Sequence, residues 1–407
     1  MVVITAEEKS KLDNQALNNF QEYLGIPSVH PNIDYEPCVK FLKVQAKYLG
    51  LPVKVVQITE SKPLVVVTWL GTNPLLPSIA LSSHMDVVPV YEEKWTQKPF
   101  GANIVDGKVY ARGAQDMKCV AIQYFEAIRR MKLKNIKLLR TLNLIFTPDE
   151  EIGGVDGMKK FVQTQEFKNL NVGFALDEGM ASENDDFDVF YGERCIWQMQ
   201  IHCPGTPGHG SLLLDNTAGE KVSHVLNKIF EFRLQEKLKL ENNPDFTIGD
   251  VTTINLTKLQ GGVQNNVVPP ELTFTIDCRI PVTVDVVQWE ATVNQWCREA
   301  GSDVFMEFCQ KQPQIAPTRI DASNPYWVAF KQAASKIGVK LRTKIFPGGT
   351  DSKHLRGIGI PVLGFSPINN TPILLHDNDE FLGVNTFLKG IDIYMELIGA
   401  VANVPEK

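Results

Sequence analysis

Apolar residues recur at helical spacing over residues 6 to 24, where Leu12, Leu17, Phe20 and Leu24 share a face and Gly25-Ile26-Pro27 stops the run. A second helix is predicted from Tyr35 to Leu49, ended by Gly50. A β-rich segment, Val53 to Trp69, leads through a Gly-Thr-Asn-Pro turn to a short apolar strand over Ile79 to Leu81. Ala121, Phe125 and Ile128 then repeat at i, i+4 and i+7, so one helix face belongs to a core. Apolar runs at Leu142 to Phe146 and Val172 to Leu176 predict two further strands.

The pattern changes near Gly192. Cys195, Trp197, Met199, Ile201 and Cys203 alternate with mostly polar partners, the mark of a strand covered on one face only. A helix over about Thr217 to Leu238 follows, then strands at Val251 to Leu259 and Glu271 to Arg279, a helix over Val286 to Glu299 and a strand over Val304 to Phe308. That order, β-α-β-β-α-β, is the ferredoxin-like arrangement. From Asn324 the earlier pattern returns, with a helix through Trp327 and Phe330, a strand over Pro361 to Phe365 and a closing helix near Asn385 to Val401. The expected architecture is an α/β domain built from residues 1–190 and 314–407, interrupted by an inserted α+β domain over 191–313. A chain of 407 residues exceeds the usual size of a single core, which agrees with two domains.

Several apolar runs end in chemistry. Phe146 leads through Thr147 and Pro148 into three adjacent carboxylates, Asp149, Glu150 and Glu151; such neighbours repel one another unless a cation or a proton sits among them. Taken alone, the triplet is equally well a solvated acidic turn. But Ile79 to Leu81 precedes His84 and Asp86, Val172 to Leu176 precedes Asp177 and Glu178, and Ile373 to Leu375 precedes His376 and Asp377. Asp116 follows Gly113-Ala114-Gln115 just before a helix, where a plain interaction with the helix N-terminus would also account for it. Strands ending side by side deliver the residues past their carboxyl ends to one crevice, so five such turns are expected to converge. Asp86 is placed to accept the second N–H of the His84 imidazole and fix its tautomer.

Composition removes several classes. A formal net charge of −6 offers no basic face for nucleic acid. No apolar run approaches transmembrane length, and the first ten residues carry no basic-then-apolar leader pattern. Seven scattered cysteines without a C-x-x-C pair fit free thiols in a reducing cytosol.

Six fragments, SSHMDVVP, YARGAQDMK, FTPDEEIGG, FALDEG, PGHGS and LLHD, occur in this order. Together they resemble the M20 metallopeptidase family over about residues 10 to 400. The resemblance implies a zinc-binding catalytic domain with an inserted lid and dimerisation domain, a homodimer, and two zinc ions per subunit. It implies His84 and Glu178 on one ion, Glu151 and His376 on the other, and Asp116 bridging both. Composition does not separate Asp177 from Glu178; the L-D-E-G pattern of the family's N-acyl-amino-acid hydrolases selects Glu178. By the same resemblance Glu150 is the general base, taking a proton from the attacking water and handing it to the leaving amine, and Asp86 orients His84. His209 resembles the residue that stabilises the oxyanion in a partner subunit's site. Asn266 and Arg279 resemble residues that grip the substrate carboxylate, and Gly349 lies in a turn that lines the pocket. The resemblance implies zinc-dependent hydrolysis of N-acyl-L-amino acids; a dipeptidase or carboxypeptidase of the same fold shares the metal chemistry, and a non-catalytic zinc-dependent binding protein is the rival of another class.

Overall fold

The computed structural model describes residues 5–406, so the first four residues of the stretch examined for a leader, and Lys407, lie outside it. In chain order its strands are β1 (Val53–Thr59), β2 (Lys62–Trp69), β3 (Ser78–His84), β4 (Asn103–Val105), β5 (Lys108–Tyr110), β6 (Leu142–Thr147), β7 (Val172–Asp177), β8 (Phe187–Glu193), β9 (Cys195–Pro204), β10 (Gly208–His209), β11 (Thr253–Gly261), β12 (Val267–Val268), β13 (Glu271–Ile280), β14 (Phe305–Lys311), β15 (Leu341–Phe346), β16 (Val362–Phe365) and β17 (Phe381–Gly383). The described residues divide into two compact units: one of 5–191, Pro317–Thr343 and 350–406, the other of Gly192–Ala316 and Lys344–Gly349.

The first unit is built on a mixed eight-stranded sheet in the order β1-β2-β6-β3-β7-β16-β8-β15. β3 runs parallel to β6 and β7, and β16 parallel to β7, whereas β2 and β8 pair antiparallel on either side of this group. Every residue of β3 and β6 is buried, as expected of parallel strands covered on both faces. Alternation still sorts their side chains. Ile79, Leu81, Leu142, Leu144, Phe146, Phe174 and Leu176 enter one core with the helices Ala6–Leu24, Lys118–Leu133 and Val384–Ala402. Ala80, Ile145 and Ala175 enter a smaller core with Met158, Phe161 and Leu355. Those two periods, two along the strands and 3.6 along the helices, make the sheet a rigid platform whose strand ends are fixed in register.

The second unit has a four-stranded antiparallel sheet in the order β11-β13-β9-β14. Alternate residues of β9 are buried, and Trp197, Met199 and Ile201 pack with Phe274 and Ile276 against Val225, Ile229, Trp289 and Val293. The last four come from the helices Ala218–Glu241 and Val286–Ala300, so one sheet face is covered and the other is open. β10 and β12 form a separate two-stranded ribbon that carries His209.

Two expectations from the sequence change, and two strands were missed. Ile373 to Leu375 is not a strand: the segment is irregular, and β17 forms only after it, paired with β5. The run is too short to add a strand, and Gln115 takes its backbone bonds instead. β8 and β15 escaped the pattern because turn-rich neighbours masked them. The strand before His84 also runs on to His84 itself.

The turn after β6 is packed against its own chain. A Cβ on Gly157 would lie 2.1 Å from the carbonyl oxygen of Pro148, so no side chain fits without displacing the backbone that carries the acidic triplet. Gly157→Ala is therefore expected to lower stability by about 1 to 3 kcal/mol, the usual cost of overpacking. Thermal unfolding measures this; an unchanged transition would mean the turn yields freely.

Candidate active site

Parallel register brings the ends of β3, β6 and β7 together. His84 closes β3 directly beside Thr147 at the end of β6, and β7 ends at Asp177 with Glu178 next. Glu150 and Glu151 begin a single 3₁₀ turn that Asp149 enters at φ 61°, in the left-handed region that Asp tolerates better than most residues. Asp116 arrives from the loop ahead of the helix Lys118–Leu133 and His376 from the irregular segment ahead of β17.

Two groups result, and they share one residue. His84, Asp116 and Glu178 offer ligand atoms within 4.8 Å of one another, and Asp116, Glu151 and His376 do the same. His84 Nε2 lies 3.0 Å from Asp116 Oδ1 and 3.8 Å from Glu178 Oε2. His376 Nε2 lies 3.4 Å from Asp116 Oδ2 and 3.1 Å from Glu151 Oε2. Asp116 thus faces one group with each of its oxygens. Glu178 is in a group and Asp177 is not: the carboxylate of Asp177 accepts a 2.6 Å hydrogen bond from Ser352 Oγ. Glu150 stands beside the groups without joining either.

The electrostatics are those of crowded anions. Burial, then the neighbouring Glu178, holds the Glu150 carboxyl well above its ordinary range. Burial and Asp116 do the same to Glu178, and push Glu151 up as well. Burial disfavours a charged His84, yet Asp116 and Glu178 outweigh it and keep the imidazole protonated well above its usual value. Hydrogen bonds to the carboxylates of Asp116 and Glu151 push His376 up to about 10. Protons on the histidines and glutamates are thus offsetting a concentration of negative charge that a multivalent cation would offset better. Glu151 Oε1 is buried with no hydrogen-bond partner among the described residues, an atom left for a ligand to satisfy. Imidazole and carboxylate donors in two sets of three, with a shared carboxylate, suit a pair of zinc-like ions.

Behind the groups lies a second set of contacts, most of it not legible in the sequence. Asp86 was expected to orient His84 through its carboxylate. The backbone carbonyl of Asp86 does so instead, 2.8 Å from His84 Nδ1, while the nearer carboxylate oxygen is 3.7 Å away. That carboxylate accepts from the backbone N–H of Glu150 (3.2 Å) and Glu151 (3.0 Å) and meets His30 Nε2 at 2.9 Å, so it fixes the acidic turn. The Tyr35 hydroxyl accepts from Asp149 N–H and donates to Asp149 Oδ1, which also takes a bond from Lys62 Nζ at 2.8 Å. Asp149 is thereby turned away from the groups. Asp351 is buried, accepts from Thr147 Oγ1 at 2.8 Å, and is pushed up to about 7 by burial and by Asp177. A Cβ on Gly154 would sit 2.3 Å from Asp351 Oδ1, which explains a glycine there. Glu380, fully buried, takes the backbone N–H groups of Gly113, Gln115 and Asp116 together with Arg112. Only the position of Glu380 shortly after His376 hints at such a role in the sequence; Tyr35 and Lys62 give no signal at all.

The other expected residues lie in the second unit. His209 is exposed on the ribbon, with the Ser211 N–H donating to its Nδ1 at 3.2 Å and Ser211 Oγ 2.8 Å away. The Asn266 carbonyl accepts from Gly210 N–H, so Asn266 lies just beyond Val267, the residue that pairs with His209 across the ribbon. Arg279 is held by Asp277 at 2.7 and 3.3 Å, a bidentate pairing that a competing carboxylate would have to share. Gly349 follows the turn in which the Pro347 carbonyl accepts two bonds from Arg194.

Comparison with known proteins follows the same lines. Residues 80–400 match the model of peptidase family M20/M25/M40. Aminoacylase-1A of Rattus norvegicus is 46% identical over 396 residues, which cover 97% of each chain. Among solved structures, aminopeptidase PepT from Bacillus cereus superposes with a TM-score of 0.73 at 20% identity, covering 96% of this chain and 99% of its own. The Bacillus subtilis YXEP protein, described as a dinuclear metal-binding peptidase of family M20, does so at 0.68 and 17% identity, covering 96% and 98%. At such identities the two structures speak for the fold alone. The family match spans most of the chain and takes in all three parallel strand ends and both histidine-carboxylate groups, so the chain belongs to peptidase family M20/M25/M40.

Proposed function

We propose that this protein is a zinc-dependent amidohydrolase that cleaves N-acyl-L-amino acids to a carboxylate and a free L-amino acid. The observation that carries this reading is the pair of histidine-carboxylate groups sharing Asp116, in a chain 46% identical to an aminoacylase over nearly its whole length. His84, Asp116 and Glu178 would hold one zinc ion, and Asp116, Glu151 and His376 the other. Bound there, the ions would polarise the acyl carbonyl and lower the pKa of water toward 7.

The protein's own residues account for the rest. Glu150 is the proton carrier: it is a carboxylate next in sequence to Glu151, buried beside the groups, and belongs to neither, so it is left free to exchange a proton. It takes the proton of the attacking water and delivers it to the departing amine. Asp86 holds the backbone N–H groups of Glu150 and Glu151, so the base and its neighbour keep their spacing. In the second unit, Ser211 N–H donates to His209 Nδ1, which leaves the proton of a neutral imidazole on Nε2 as a free donor for an oxyanion. Asn266, Arg279 and Gly349 are assigned to the substrate carboxylate and the pocket wall. A dipeptidase of the same fold would use the same ions and base, and the 46% identity to an aminoacylase over 97% of the chain favours the acyl-amino-acid substrate. Comparing turnover of N-acetyl-methionine with that of a dipeptide decides between them. A binding protein without catalysis would not need Glu150 poised as it is.

We read the second unit as a ferredoxin-like lid and dimerisation domain. Support comes from its strand order and from exposed apolar side chains, including Leu212, Leu213, Phe230, Leu234, Val263 and Phe305, which a second copy would cover. A cytosolic setting is supported by seven free cysteines, six of them buried. Among the described residues no helix is long and apolar enough to cross a membrane.

Glu150→Gln is expected to keep bound zinc and lose on the order of 10²-fold or more in kcat; metal analysis showing zinc lost along with activity would make Glu150 a ligand instead. Asp116→Ala removes the carboxylate common to both groups, so both ions should bind more weakly together. Two zinc ions per chain retained at wild-type affinity would contradict the bridge. His209→Ala should depress kcat with little change in KM, by about 3 to 4 kcal/mol of transition-state stabilisation. Mixing His209→Ala with Glu150→Gln chains and allowing exchange should restore activity if His209 serves the neighbouring subunit, because one site of each heterodimer carries neither lesion. Demonstrated exchange without recovery would place His209 in its own chain's site or outside the reaction.

A further inference from the structure

Two members of the groups, Asp116 and His376, are not carried by strand ends. Asp116 lies in a loop, and His376 lies in an irregular turn at φ 62° with its side chain 56% exposed, so nothing in the sheet itself fixes either. Their positions are nevertheless coupled through a buried polar cluster that holds no candidate ligand side chain.

Glu380 is fully buried just ahead of β17. One of its oxygens accepts from Gln115 N–H at 2.6 Å and Asp116 N–H at 3.2 Å; the other accepts from Gly113 N–H at 3.0 Å and Arg112 Nη1 at 2.7 Å. The loop over 113–116 therefore closes around a carboxylate, with its N–H groups turned inward as in an anion-binding nest. Gly113 makes the bend at φ 89°, where a Cβ would press on Val87 and Lys118 at 3.1 and 3.3 Å. The Gln115 side chain then reaches the other way. Its Nε2 donates to the carbonyls of Pro372 (3.1 Å) and Phe381 (2.9 Å), and its Oε1 accepts from Leu374 N–H (3.1 Å). Leu374 in turn accepts from Asp377 N–H across the turn that contains His376. Both amide hydrogens and the amide oxygen of Gln115 are spent on the two stretches that flank His376.

We infer that Glu380 and Gln115 are positioning residues that set Asp116 and His376 as a pair, with Gln115 acting selectively on the cation site that contains His376. Glu380 shapes the loop from which Asp116 projects, so it bears on both sites. Gln115 ties that loop to residues 372–374, so it bears on the site of Asp116, Glu151 and His376. The site of His84 and Glu178 stands on the ends of β3 and β7 and shares only Asp116, whose loop Glu380 holds, so it leans on Gln115 least. The inference rests on the reading of the two groups as cation sites.

The test is a metal titration of the full chain, stripped with a chelator and refilled with Co²⁺ followed by its visible absorption, or with Zn²⁺ in competition with a chromophoric chelator. Wild type should bind two ions. Gln115→Ala should weaken one of them by roughly 10- to 100-fold, the usual effect of removing a ligand's supporting partner, and leave the other within a factor of about three. His376→Ala in the same assay should weaken the same ion, and the double variant should add little, which a general loss of stability would not reproduce. Glu380→Gln keeps the shape but sets an amide N–H against backbone N–H groups, and should weaken both ions. If Gln115→Ala does not fold, Gln115→Glu, which retains the acceptor for Leu374 and loses both donors, is read in the same way. Equal weakening of both ions by the Gln115 variant, or unaltered binding, overturns the inference. Failure of wild type to bind two ions would instead overturn the cation-site reading beneath it.

Discussion

Repulsion among buried carboxylates is the constraint around which the first unit is organised. Asp116, Glu150, Glu151 and Glu178 are largely withdrawn from water and stand close to one another, with two imidazoles among them. No single fold interaction makes such a cluster favourable. Burial alone raises the free energy of each charged carboxylate, and each neighbour raises it again. What keeps the cluster from relaxing is that the backbone carrying it is fixed elsewhere: by parallel strands buried on both faces, by the Asp86 carboxylate on the N–H groups of the acidic turn, and by Tyr35 and Lys62 on Asp149. The stability of the two cores is thus spent in part on holding an arrangement that is unfavourable in the absence of positive charge, a common property of functional sites.

The site uses two kinds of support. His84 and Glu178 stand at the ends of adjacent parallel strands, where register sets their separation as firmly as any hydrogen bond in the ladder. Asp116 and His376 come from irregular backbone and need dedicated polar anchors, which Glu380 and Gln115 provide. A buried carboxylate is an expensive anchor, and burial pushes Glu380 up to about 7 against the pull of Arg112 and the backbone donors. Four converging donors nevertheless occupy both of its oxygens.

How far the sequence showed all this depends on which physical signal carried each part. Apolar runs ending in acidic or histidine residues were readable because a strand buried on both faces is a nearly continuous apolar run, and its first polar residues mark its end. Alternation at Cys195 to Cys203 was readable for the same reason on a half-covered sheet. The His376 segment misled because three apolar residues look alike whether they pair in a sheet or hang on one glutamine side chain. The role of the Asp86 carboxylate was misread because spacing along the chain brings it near His84 while the fold brings it nearer the N–H groups of residues 150 and 151. Tyr35, Lys62 and Gln115 act across 87 to more than 250 residues of sequence, and no local pattern records such a contact.

In the proposed function the two units divide the chemistry by the sign of what they supply. The first unit concentrates negative charge and so binds cations and carries protons; it is poorly suited to attract the carboxylate of an N-acyl amino acid. A separate element bearing neutral or positive donors is needed for that end of the substrate and for the oxyanion that forms during attack. We assign His209, Asn266 and Arg279 to such an element; His209 accepts at Nδ1, and Arg279 is held in line by Asp277 without being buried. Keeping these donors on a unit with its own core gives them a support separate from the sheet that carries the acidic cluster. Under the proposed function an inserted domain is a physical solution to opposite electrostatic requirements, rather than an ornament on the α/β sheet.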